Sequence, residues 1–418
     1  MVTFVGNVTK EHMKMNKKYY KGLVMRPIKE SEVEQFSNLM KYVFQVSKKM
    51  INDEEKMVQK KSHQLKPGTA LGWFDHDKLI SQIVVLPFQV NIHGVIYEMG
   101  GVTGVGTYPE YAGHGLMNAL MKESLTTMRE NGQYISYLFP YSIPYYRKKG
   151  WEIISDIIEY QIKDTQLPKY RGNISGRVRR VGLKSKEKEK IYDDFARKTN
   201  GAMVRNTIAW EERFREETID LQLAIYYTDE DIPHGYLFYR VLEEKFYIEE
   251  MIYINEEARR GLWNFISAHF SMVYYVKGKT CVHEPVAFLL EDSEIKQTIA
   301  PYYMGRIVDV VGFLMKYPFK DDKIQKLILH VDDPMLEWNK GTFILEWAHD
   351  KSLHITYEKE TIDMDGISLT IQTLTTMLLS YKSPSFLYDI GRIKGPREMI
   401  EVLENVIPDS PPCFFDYF

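Results

Sequence analysis

The sequence lacks several features that would assign it to a common class of protein. It has two cysteines in 418 residues, Cys281 and Cys413, and they form neither a metal-binding spacing nor a disulfide framework. No uninterrupted apolar run approaches the roughly 20 residues of a membrane span. Residues 1–21 are polar and lysine-rich and contain no apolar stretch of a secretory signal. These absences favour a protein of the reducing cytoplasm without a metal site and without membrane contact.

An excess of charge of one sign is also missing. The chain has 54 basic and 57 acidic residues and a formal net charge of −3, so nothing in its overall charge favours binding to nucleic acid. Hydrophobic residues make up 44% and charged residues 27% of the chain, which is typical of a folded globular protein. A chain of this length is expected to form two or three domains.

The most informative segment is residues 100–151, which predicts a strand, a glycine turn, a helix, a strand and a tyrosine-rich turn. β-Branched and aromatic residues indicate the first strand. Small or apolar residues recur at helical spacing from Leu116 to Met128. Gly113 and Gly115 therefore fall at or just before a helix start, where free amides and the helix dipole favour an anion. An ordinary strand-to-helix turn is the alternative interpretation.

Elsewhere the pattern predicts mixed α/β sheets. A helix is expected over 33–44, and strands are expected over 22–27, 71–75, 79–90, 97–108, 134–139 and 152–162. A linker over 166–176 leads to a second strand-rich section and a helix over 256–270, which no glycine pair precedes. From about residue 320, short strands and helices indicate a separate α+β unit.

Several segments resemble known acetyltransferases. Residues 105–116, VGTYPEYAGHGL, are similar to the acetyl-CoA motif of the GNAT acetyltransferases. That motif usually reads Gln/Arg-x-x-Gly-x-Gly/Ala. Here Ala112 takes its first position, Gly115 matches its central glycine and Met117 takes its last position. Residues 145–151, YYRKKGW, resemble the element after the fifth GNAT strand. The segments EEARRGLW and PYYMGRIVDV resemble a second, degenerate unit, and the chain stops at the aromatic cluster FFDYF. Together these segments resemble the Eis (enhanced intracellular survival) family over nearly the whole chain.

The Eis resemblance implies three folded units. These are a GNAT domain over 22–165, a degenerate GNAT-like domain over 177–318 without cofactor binding, and a sterol-carrier-like α+β domain over 319–418. Residues 1–21 would form a mobile arm. The resemblance further implies an acetyl-CoA-dependent N-acetyltransferase that modifies a primary amine of an aminoglycoside-like substrate, a polyamine or a lysine. A homo-oligomer is also implied, with hexamers frequent in the family.

The same resemblance assigns site residues. Tyr146 matches the family's general acid, and a phenol with a pKa of about 10 suits a proton donor to a thiolate. Packing is the alternative role for Tyr146, and Tyr141 and Tyr145 lie beside it in the sequence. The C-terminal carboxylate of Phe418 matches the family's general base, since an α-carboxyl is ionised at neutral pH. Acetyl-CoA is expected along Val105, Gly106, Thr107, Ala112, Gly113, His114, Gly115 and Leu116.

Two other functions remain open from the sequence. The lack of a basic residue at Ala112, together with Met117, favours a non-catalytic acyl-CoA-binding scaffold. The sterol-carrier-like unit favours a lipid-binding protein. An amine substrate would also need anionic walls, for which the candidates are Asp75, Asp77, Glu98 and Glu110. Trp73 and Phe74 would either line the amine pocket or pack in the core.

Overall fold

A computed structural model of the chain describes residues 22–45, 65, 69–170, 174–213, 220–282, 284, 286–320, 325–360 and 365–418. The predicted arm of residues 1–21 lies outside these residues. No helix in these ranges is long and apolar enough to cross a membrane.

The elements of the described residues follow one another along three successive sheets. The helices are α1 (Val33–Val43), α2 (Leu116–Glu130), α3 (Ile143–Arg147), α4 (Glu187–Ala196), α5 (Thr207–Arg213), α6 (Glu256–Ser267), α7 (Val310–Leu314), α8 (Ile371–Leu378), α9 (Pro384–Asp389) and α10 (Arg397–Val406). The strands are β1 (Leu23–Pro27), β2 (Ala70–Asp75), β3 (Lys78–Ile92), β4 (Val95–Thr107), β5 (Ile135–Leu138), β6 (Glu152–Ile153), β7 (Asp156–Lys163), β8 (Arg177–Val181), β9 (Met203–Val204), β10 (Gln222–Tyr227), β11 (Pro233–Leu242), β12 (Lys245–Tyr253), β13 (Tyr275–Cys281), β14 (Lys296–Pro301), β15 (Met304–Ile307), β16 (Lys326–Asp332), β17 (Gly341–Trp347), β18 (Leu353–Glu358), β19 (Ile367–Thr370) and β20 (Ile393–Lys394).

The first sheet has the order β1-β2-β3-β4-β5-β15-β6, with β9 paired to β3. Its first four strands are antiparallel neighbours, whereas β4 and β5 run parallel. Helix α2 buries Met121, Leu125 and Met128 against one face, because residues three and four positions apart share one side of a helix. Helix α1 covers the opposite face with Phe36 and Leu39. The predicted strand and helix order of this unit is confirmed up to β5.

The first two units exchange strands. The sequence predicted a single strand over 152–162, and that prediction is wrong, because the segment breaks at Ile154 and Ser155 and its halves join different sheets. β6 stays at the edge of the first sheet, while β7 pairs with β13 and β14 in the second. In return β15, from the segment that resembles a second GNAT unit, enters the first sheet between β5 and β6.

The second sheet has the order β14-β7-β13-β12-β11-β10-β8. Helix α6 packs on it through Ala258, Leu262 and Ile266, which recur every four residues. The side chain of Asn255 caps α6 by accepting a hydrogen bond from the amide of Ala258. A side chain therefore occupies the start of this helix, where α2 has a glycine turn.

The third sheet, β18-β17-β16-β19-β20, forms the core of the α+β unit at the C-terminus. It is tied to the first sheet by Arg306 of β15, whose guanidinium donates to both carboxylate oxygens of Asp333 at 2.8 and 2.6 Å. Both side chains are fully buried. After α10 and Ile407, residues 408–418 form neither helix nor strand. We call this segment the C-terminal tail.

The two cysteines are joined, contrary to the expectation that they form no disulfide. Cys281 at the end of β13 is bonded to Cys413 in the C-terminal tail, with a Cα–Cα distance of 5.5 Å and a sequence separation of 132 residues. The sequence pattern missed this bond because a pair so far apart is brought together only by the tertiary fold. The disulfide also removes one reason to expect the protein in a reducing compartment, because that expectation rested on unpaired cysteines.

A buried ion pair lies inside the second unit. Arg205, which follows β9, donates to Glu250 of β12 at 2.6 and 3.1 Å, and the Arg205 side chain is fully buried. Burial alone would raise the pKa of Glu250. The charges of Arg205 and Arg213 and hydrogen bonds from Arg205 and Tyr236 outweigh that effect and lower the pKa of Glu250 to about 2.

Replacing Glu250 by Gln is expected to lower the free energy of unfolding at pH 7 by about 3–5 kcal/mol, because Arg205 loses a buried partner. A carboxylate with a folded pKa of about 2 and an ordinary value of 4.5 stabilises the fold above pH 4.5 and loses that contribution as the pH falls towards 2. The difference between wild type and Glu250→Gln, measured by urea denaturation, should therefore shrink across this range.

The adjacent substitution Glu249→Gln is the matched control. Glu249 pairs with Arg240, and about a quarter of each side chain is exposed, 27% and 26% respectively. Its loss should cost at most about 1 kcal/mol. Equal effects of the two substitutions at pH 7 would contradict the prediction.

Candidate active site

Strands β4 and β5 pair over only three residues and then separate. The parallel register joins Met99 to Ile135, Gly100 to Ser136 and Gly101 to Tyr137. Beyond Gly101, β4 continues to Thr107 paired with β3 alone, and β5 turns to β15 on its other side. The sheet therefore opens after Gly101, at the carboxyl ends of two parallel strands. Open α/β sheets typically bind ligands at such an edge.

A β-bulge lies just inside this opening. The register between β3 and β4 shifts between Gln82 and Val84, and Gly104 has a φ of +61°. A side chain at Gly104 would be strained at this φ and would lie 3.0 Å from Val84. A bulge leaves a residue out of the ladder and changes the direction of the backbone groups around it. Gly104 was not among the residues predicted from the sequence, although a glycine inside a strand is a known signal for a bulge.

The two glycines at the opening separate two layers of side chains. A Cβ at Gly100 would collide with Met128 of α2, and a Cβ at Gly101 would collide with Phe88 and with Phe418. Successive residues of a strand point to opposite faces. We call the face of Gly100 and Met128 the α2 face, and the face of Gly101 and Phe418 the tail face.

The predicted glycine turn lies at the start of α2, on the α2 face. Gly113 and Gly115 have φ values of +78° and +80°, and Gly115 is the residue that precedes the helix. The first amide bonded inside the helix is that of Ala119, to the carbonyl of Gly115. The amides of the three residues before it have no intrahelical partner, so they are free to bind an anion. Trp73 supports the turn from below by donating to the carbonyl of Leu116 at 3.1 Å.

The other predicted cofactor residues form a continuous path from the bulge to this turn. Val105 and Thr107 are half-buried at the end of β4, and the Thr107 hydroxyl is 2.7 Å from that of Ser81. His114 is half-buried inside the turn. Gly106 and Leu116 are buried, whereas Ala112, Gly113 and Gly115 are exposed. The turn can thus accommodate a pyrophosphate, since a Cβ at Gly113 would meet no atom within 4 Å.

Tyr146 lies on α3 and belongs to the apolar cluster on the α2 face that also contains Leu116 and Met128. It is 5% exposed and packs edge-on against Trp151 and Tyr145, with ring centroids 6.2 and 5.1 Å away. Burial, and to a lesser degree the neighbouring Tyr145, raises the pKa of Tyr146 well above its usual value, so the phenol is protonated at neutral pH and is a weaker acid than an exposed tyrosine. Within the described residues, no hydrogen bond engages its hydroxyl. Tyr141, by contrast, is 92% exposed.

Lys149 brings a positive charge to the start of α2, and the sequence analysis had not singled it out. Its ammonium group donates to the side-chain oxygen of Asn118 in the first helical turn and lies 4.5 Å from the centroid of Tyr145. Burial lowers the pKa of Lys149. Its place in the YYRKKGW segment was the available signal. Lys149 thus places a positive charge near the turn, whereas the usual basic position of the motif is occupied by Ala112.

The C-terminal tail ends on the tail face. Phe418 is 4% exposed, and its ring lies 4.9 Å from that of Phe88 and 5.4 Å from that of Tyr303. Its amide donates to the hydroxyl of Tyr303 at 3.2 Å. Phe414 packs against Tyr303 and Tyr137 with centroids 4.4 and 5.4 Å away. The end of the chain therefore lies beside Gly101, where the first sheet opens.

The structure brings only part of the candidate anionic walls together: Asp75 and Glu110 both lie near Lys78 and Tyr111, whereas Glu98 lies apart from them beside Gln89. Asp75 accepts from the hydroxyl of Tyr111 at 2.8 Å, Glu98 from Gln89 at 2.7 Å and Glu110 from Lys78 at 3.3 Å. Each carboxylate thus has a separate partner. Phe74 is fully buried beneath Arg26 and belongs to the core.

Comparison with protein families agrees with this architecture. Residues 24–154 match an Acetyltransferase (GNAT) domain family, residues 201–307 match a second family of that description, and residues 310–415 match the Sterol carrier protein domain family. The predicted fold class of two GNAT units and a sterol-carrier-like unit is confirmed. Among proteins of curated function, none matches this chain.

Three solved structures extend over almost the whole chain. A probable N-acyltransferase of unknown function from Enterococcus faecalis is 28% identical and aligns over 95% of this chain and 99% of its own, with a TM-score of 0.86. A GCN5-related N-acetyltransferase from Anabaena variabilis is 23% identical over 95% and 100%, with a TM-score of 0.82. Eis1 from Mycobacterium abscessus is 18% identical over 95% and 100%, with a TM-score of 0.77. At these identities the last two show the fold alone.

Replacing Gly113 by Glu is expected to weaken the binding of acetyl-CoA on the order of 100-fold, because it places a negative charge where the pyrophosphate should lie. Isothermal titration calorimetry with acetyl-CoA would measure the loss. Gly132→Glu is the matched control, because Gly132 follows the other end of α2 with a similar φ of +71° and open space around its Cβ. Equal affinities of the two variants would show that the cofactor does not bind at the glycine turn.

Proposed function

Because this chain contains two GNAT acetyltransferase domains and a C-terminal sterol carrier protein domain, we propose that its first domain transfers the acetyl group of acetyl-CoA to a primary amine. The observation that carries the proposal is the opening between β4 and β5. A protonated, unengaged phenol lies close to one face of it, and the end of the chain lies on the other. A thioester in the opening would then have an acid on its α2 face and a carboxylate on its tail face.

The residues divide the chemistry between the two faces. Acetyl-CoA supplies an activated acyl group and a thiolate leaving group. The Phe418 carboxylate takes a proton from the substrate ammonium group, directly or through a water, so that a neutral amine can attack the carbonyl. Backbone amides at the Gly104 bulge are candidates to stabilise the developing oxyanion. Tyr146 gives its proton to the departing thiolate. The nitrogen, which carries a surplus proton after the attack, loses it to water, and Tyr146 is reprotonated from solvent.

The cofactor path fits the geometry of the α2 face. The pyrophosphate would lie at the Gly113–Leu116 turn, with the pantetheine along Val105, Gly106 and Thr107. Three free amides, the helix dipole and the ammonium group of Lys149 all favour an anion at the turn. These contacts make up for the missing basic residue at Ala112.

For the acceptor, we propose a small cationic amine of the aminoglycoside or polyamine type, or a lysine side chain, as in an Eis-like enzyme. The support is the overall likeness in fold to Eis1 and the aromatic terminus at Phe418. Thiol release from acetyl-CoA, measured against a panel of aminoglycosides, polyamines and lysine peptides, tests this. If no member of the panel stimulates thiol release, the proposed acceptor class is wrong.

A non-catalytic acyl-CoA-binding scaffold is the second candidate, favoured by Ala112 and Met117 in the cofactor motif. The same panel separates the two functions. A scaffold would bind acetyl-CoA in calorimetry and release no thiol with any amine.

Replacing Tyr146 by Phe should reduce kcat by ~10²–10⁴-fold, the range typical of a general acid. The affinity for acetyl-CoA should stay unchanged, because the ring is kept and its hydroxyl makes no hydrogen bond within the described residues. Steady-state kinetics of thiol release measure the effect. Tyr141→Phe is the control, since it removes the same group from an exposed ring. A kcat close to that of wild type would assign Tyr146 a packing role.

Adding one glycine after Phe418 should lower kcat by ~10²–10⁴-fold, the range typical of a general base. The reason is that the carboxylate moves away by about one residue length of 3.8 Å. Circular dichroism and acetyl-CoA titration should show an intact first domain. Amidation of the Phe418 carboxylate, by ligation of a synthetic C-terminal peptide, removes the charge without lengthening the chain. Full activity in both forms would exclude the carboxylate as the base.

A further inference from the structure

The C-terminal tail reaches the first domain only after crossing the second. Between α10 and Phe418 it has no helix or strand of its own to hold it. A segment without internal hydrogen bonds is fixed only by contacts with its surroundings. Two contacts with the second domain stand out, one ionic and one covalent, and both lie within six residues of the chain end.

The ionic contact joins Asp416 to Arg205. The Nε group of Arg205 donates to one oxygen of Asp416 at 2.6 Å, and the hydroxyl of Tyr192 donates to the other at 2.8 Å. The Arg205 side chain is fully buried and that of Asp416 is 4% exposed. Arg205 also holds Glu250, so one cation is shared by two buried carboxylates. Removing Asp416 from this site would expose a buried charge network to water.

The covalent contact is the Cys281–Cys413 disulfide. Both cysteines are 1% exposed, and the amide of Cys413 donates to the carbonyl of Asn200 at 2.8 Å. Cys281 is the last residue of β13 and is paired with Ile157 of β7, whereas the pairing of β13 with β12 ends at Gly278. The tail is therefore attached to a paired strand of the second sheet.

Chain length sets how tightly each contact confines the terminal carboxylate. Asp416 is two residues from Phe418, so fixing it confines the chain end to within about 7 Å. Cys413 is five residues away, so the disulfide alone confines it to within about 18 Å. The ion pair thus confines the chain end more tightly than the disulfide does and adds to the direct contacts of Phe418 with Phe88 and Tyr303. The disulfide keeps the tail close enough to redock after each release.

We propose that the second domain acts as a clamp for the C-terminus, in which Arg205 is a positioning residue for the terminal carboxylate and the Cys281–Cys413 disulfide makes the clamp sensitive to reduction. The proposal rests on the proposed function of the Phe418 carboxylate. It gives the second GNAT domain a role that does not require acetyl-CoA.

The redox step is an ordinary thiol–disulfide exchange. A dithiol reductant transfers two electrons and two protons, so that the Cys281–Cys413 bond breaks, two cysteine thiols form and the reductant becomes a cyclic disulfide. Because both sulfurs are buried, exchange requires the tail to open locally first. The reduced protein then holds its tail by the Arg205–Asp416 contact without a covalent tether.

Carboxypeptidase A removes C-terminal aromatic residues. The rate at which it releases phenylalanine therefore measures how often the tail undocks, independently of acetyl transfer. In the oxidised wild type the docked Phe418 should be protected. Phenylalanine should be released roughly 10- to 100-fold faster from three altered forms: Asp416→Asn, Cys413→Ser, and wild type reduced with dithiothreitol. For Asp416→Asn this factor corresponds to the loss of one hydrogen bond to a charged group. Asp409→Asn is the matched control, because Asp409 is an exposed carboxylate of the same tail.

Kinetics on the same samples separate positioning from a general loss of structure. Asp416→Asn should lose more kcat than the two forms without the disulfide, in which the Arg205–Asp416 contact still holds the tail. The affinity for acetyl-CoA should stay unchanged in all three, because the glycine turn lies on the α2 face and the tail on the other. Arg205→Lys should retain part of the kcat that Arg205→Gln loses. Reoxidation of the reduced wild type should restore both protection and kcat.

The outcomes distinguish the clamp from the proposed function. Equal rates of phenylalanine release from oxidised wild type, reduced wild type and Asp416→Asn would overturn the clamp, whatever the turnover. Two free thiols in the protein purified without reductant, detected by mass spectrometry after alkylation, would overturn its covalent part. Faster release with an unchanged kcat would support the clamp and exclude the Phe418 carboxylate as the base.

Discussion

The separation of β4 from β5 after Gly101 is the constraint on which the rest of the site depends. Parallel strands that part leave backbone groups unpaired, and these must find partners in a ligand or in water. On the α2 face the glycine turn and Tyr146 surround the opening. On the tail face Phe88, Tyr303 and Phe418 close it. Side chains at Gly100 or Gly101 would fill the space in which these two layers meet.

The exchange of β7 and β15 explains how three units can build one site. Because β15 completes the first sheet beside β5 and carries Arg306 to the third domain, the first sheet is not complete without a strand from the far end of the second GNAT unit. Tyr303, which precedes β15 and accepts a hydrogen bond from Phe418, comes with it. The second unit thus supplies structure to the site, although its own helix start is capped by Asn255.

Buried charge is concentrated at the junctions between units. Arg306 with Asp333 joins the first sheet to the third domain, and Arg205 with Glu250 and Asp416 joins the second domain to the tail. Such pairs add little net stability over a hydrophobic contact, because desolvation offsets the attraction. Their geometry is demanding, however, since a displaced partner would leave a charge without water or counterion. They therefore suit contacts that must hold two units in one relative position.

The sequence by itself determined the local elements and the order of the units. Periodicity and turn chemistry depend on residues a few positions apart, so the strands up to β5, helix α2 and the glycine turn could be predicted, and family resemblance extended this to the three folds. Only the tertiary structure decided which sheet each half of residues 152–162 joins, that Cys281 meets Cys413, and that Lys149 lies at the start of α2. Each of these depends on a partner strand, sulfur or helix that lies tens to hundreds of residues away. The roles of Tyr146 and Phe418 remain predictions, but their places on two faces of one opening could not be read from the chain, because sheet opening is a property of paired strands.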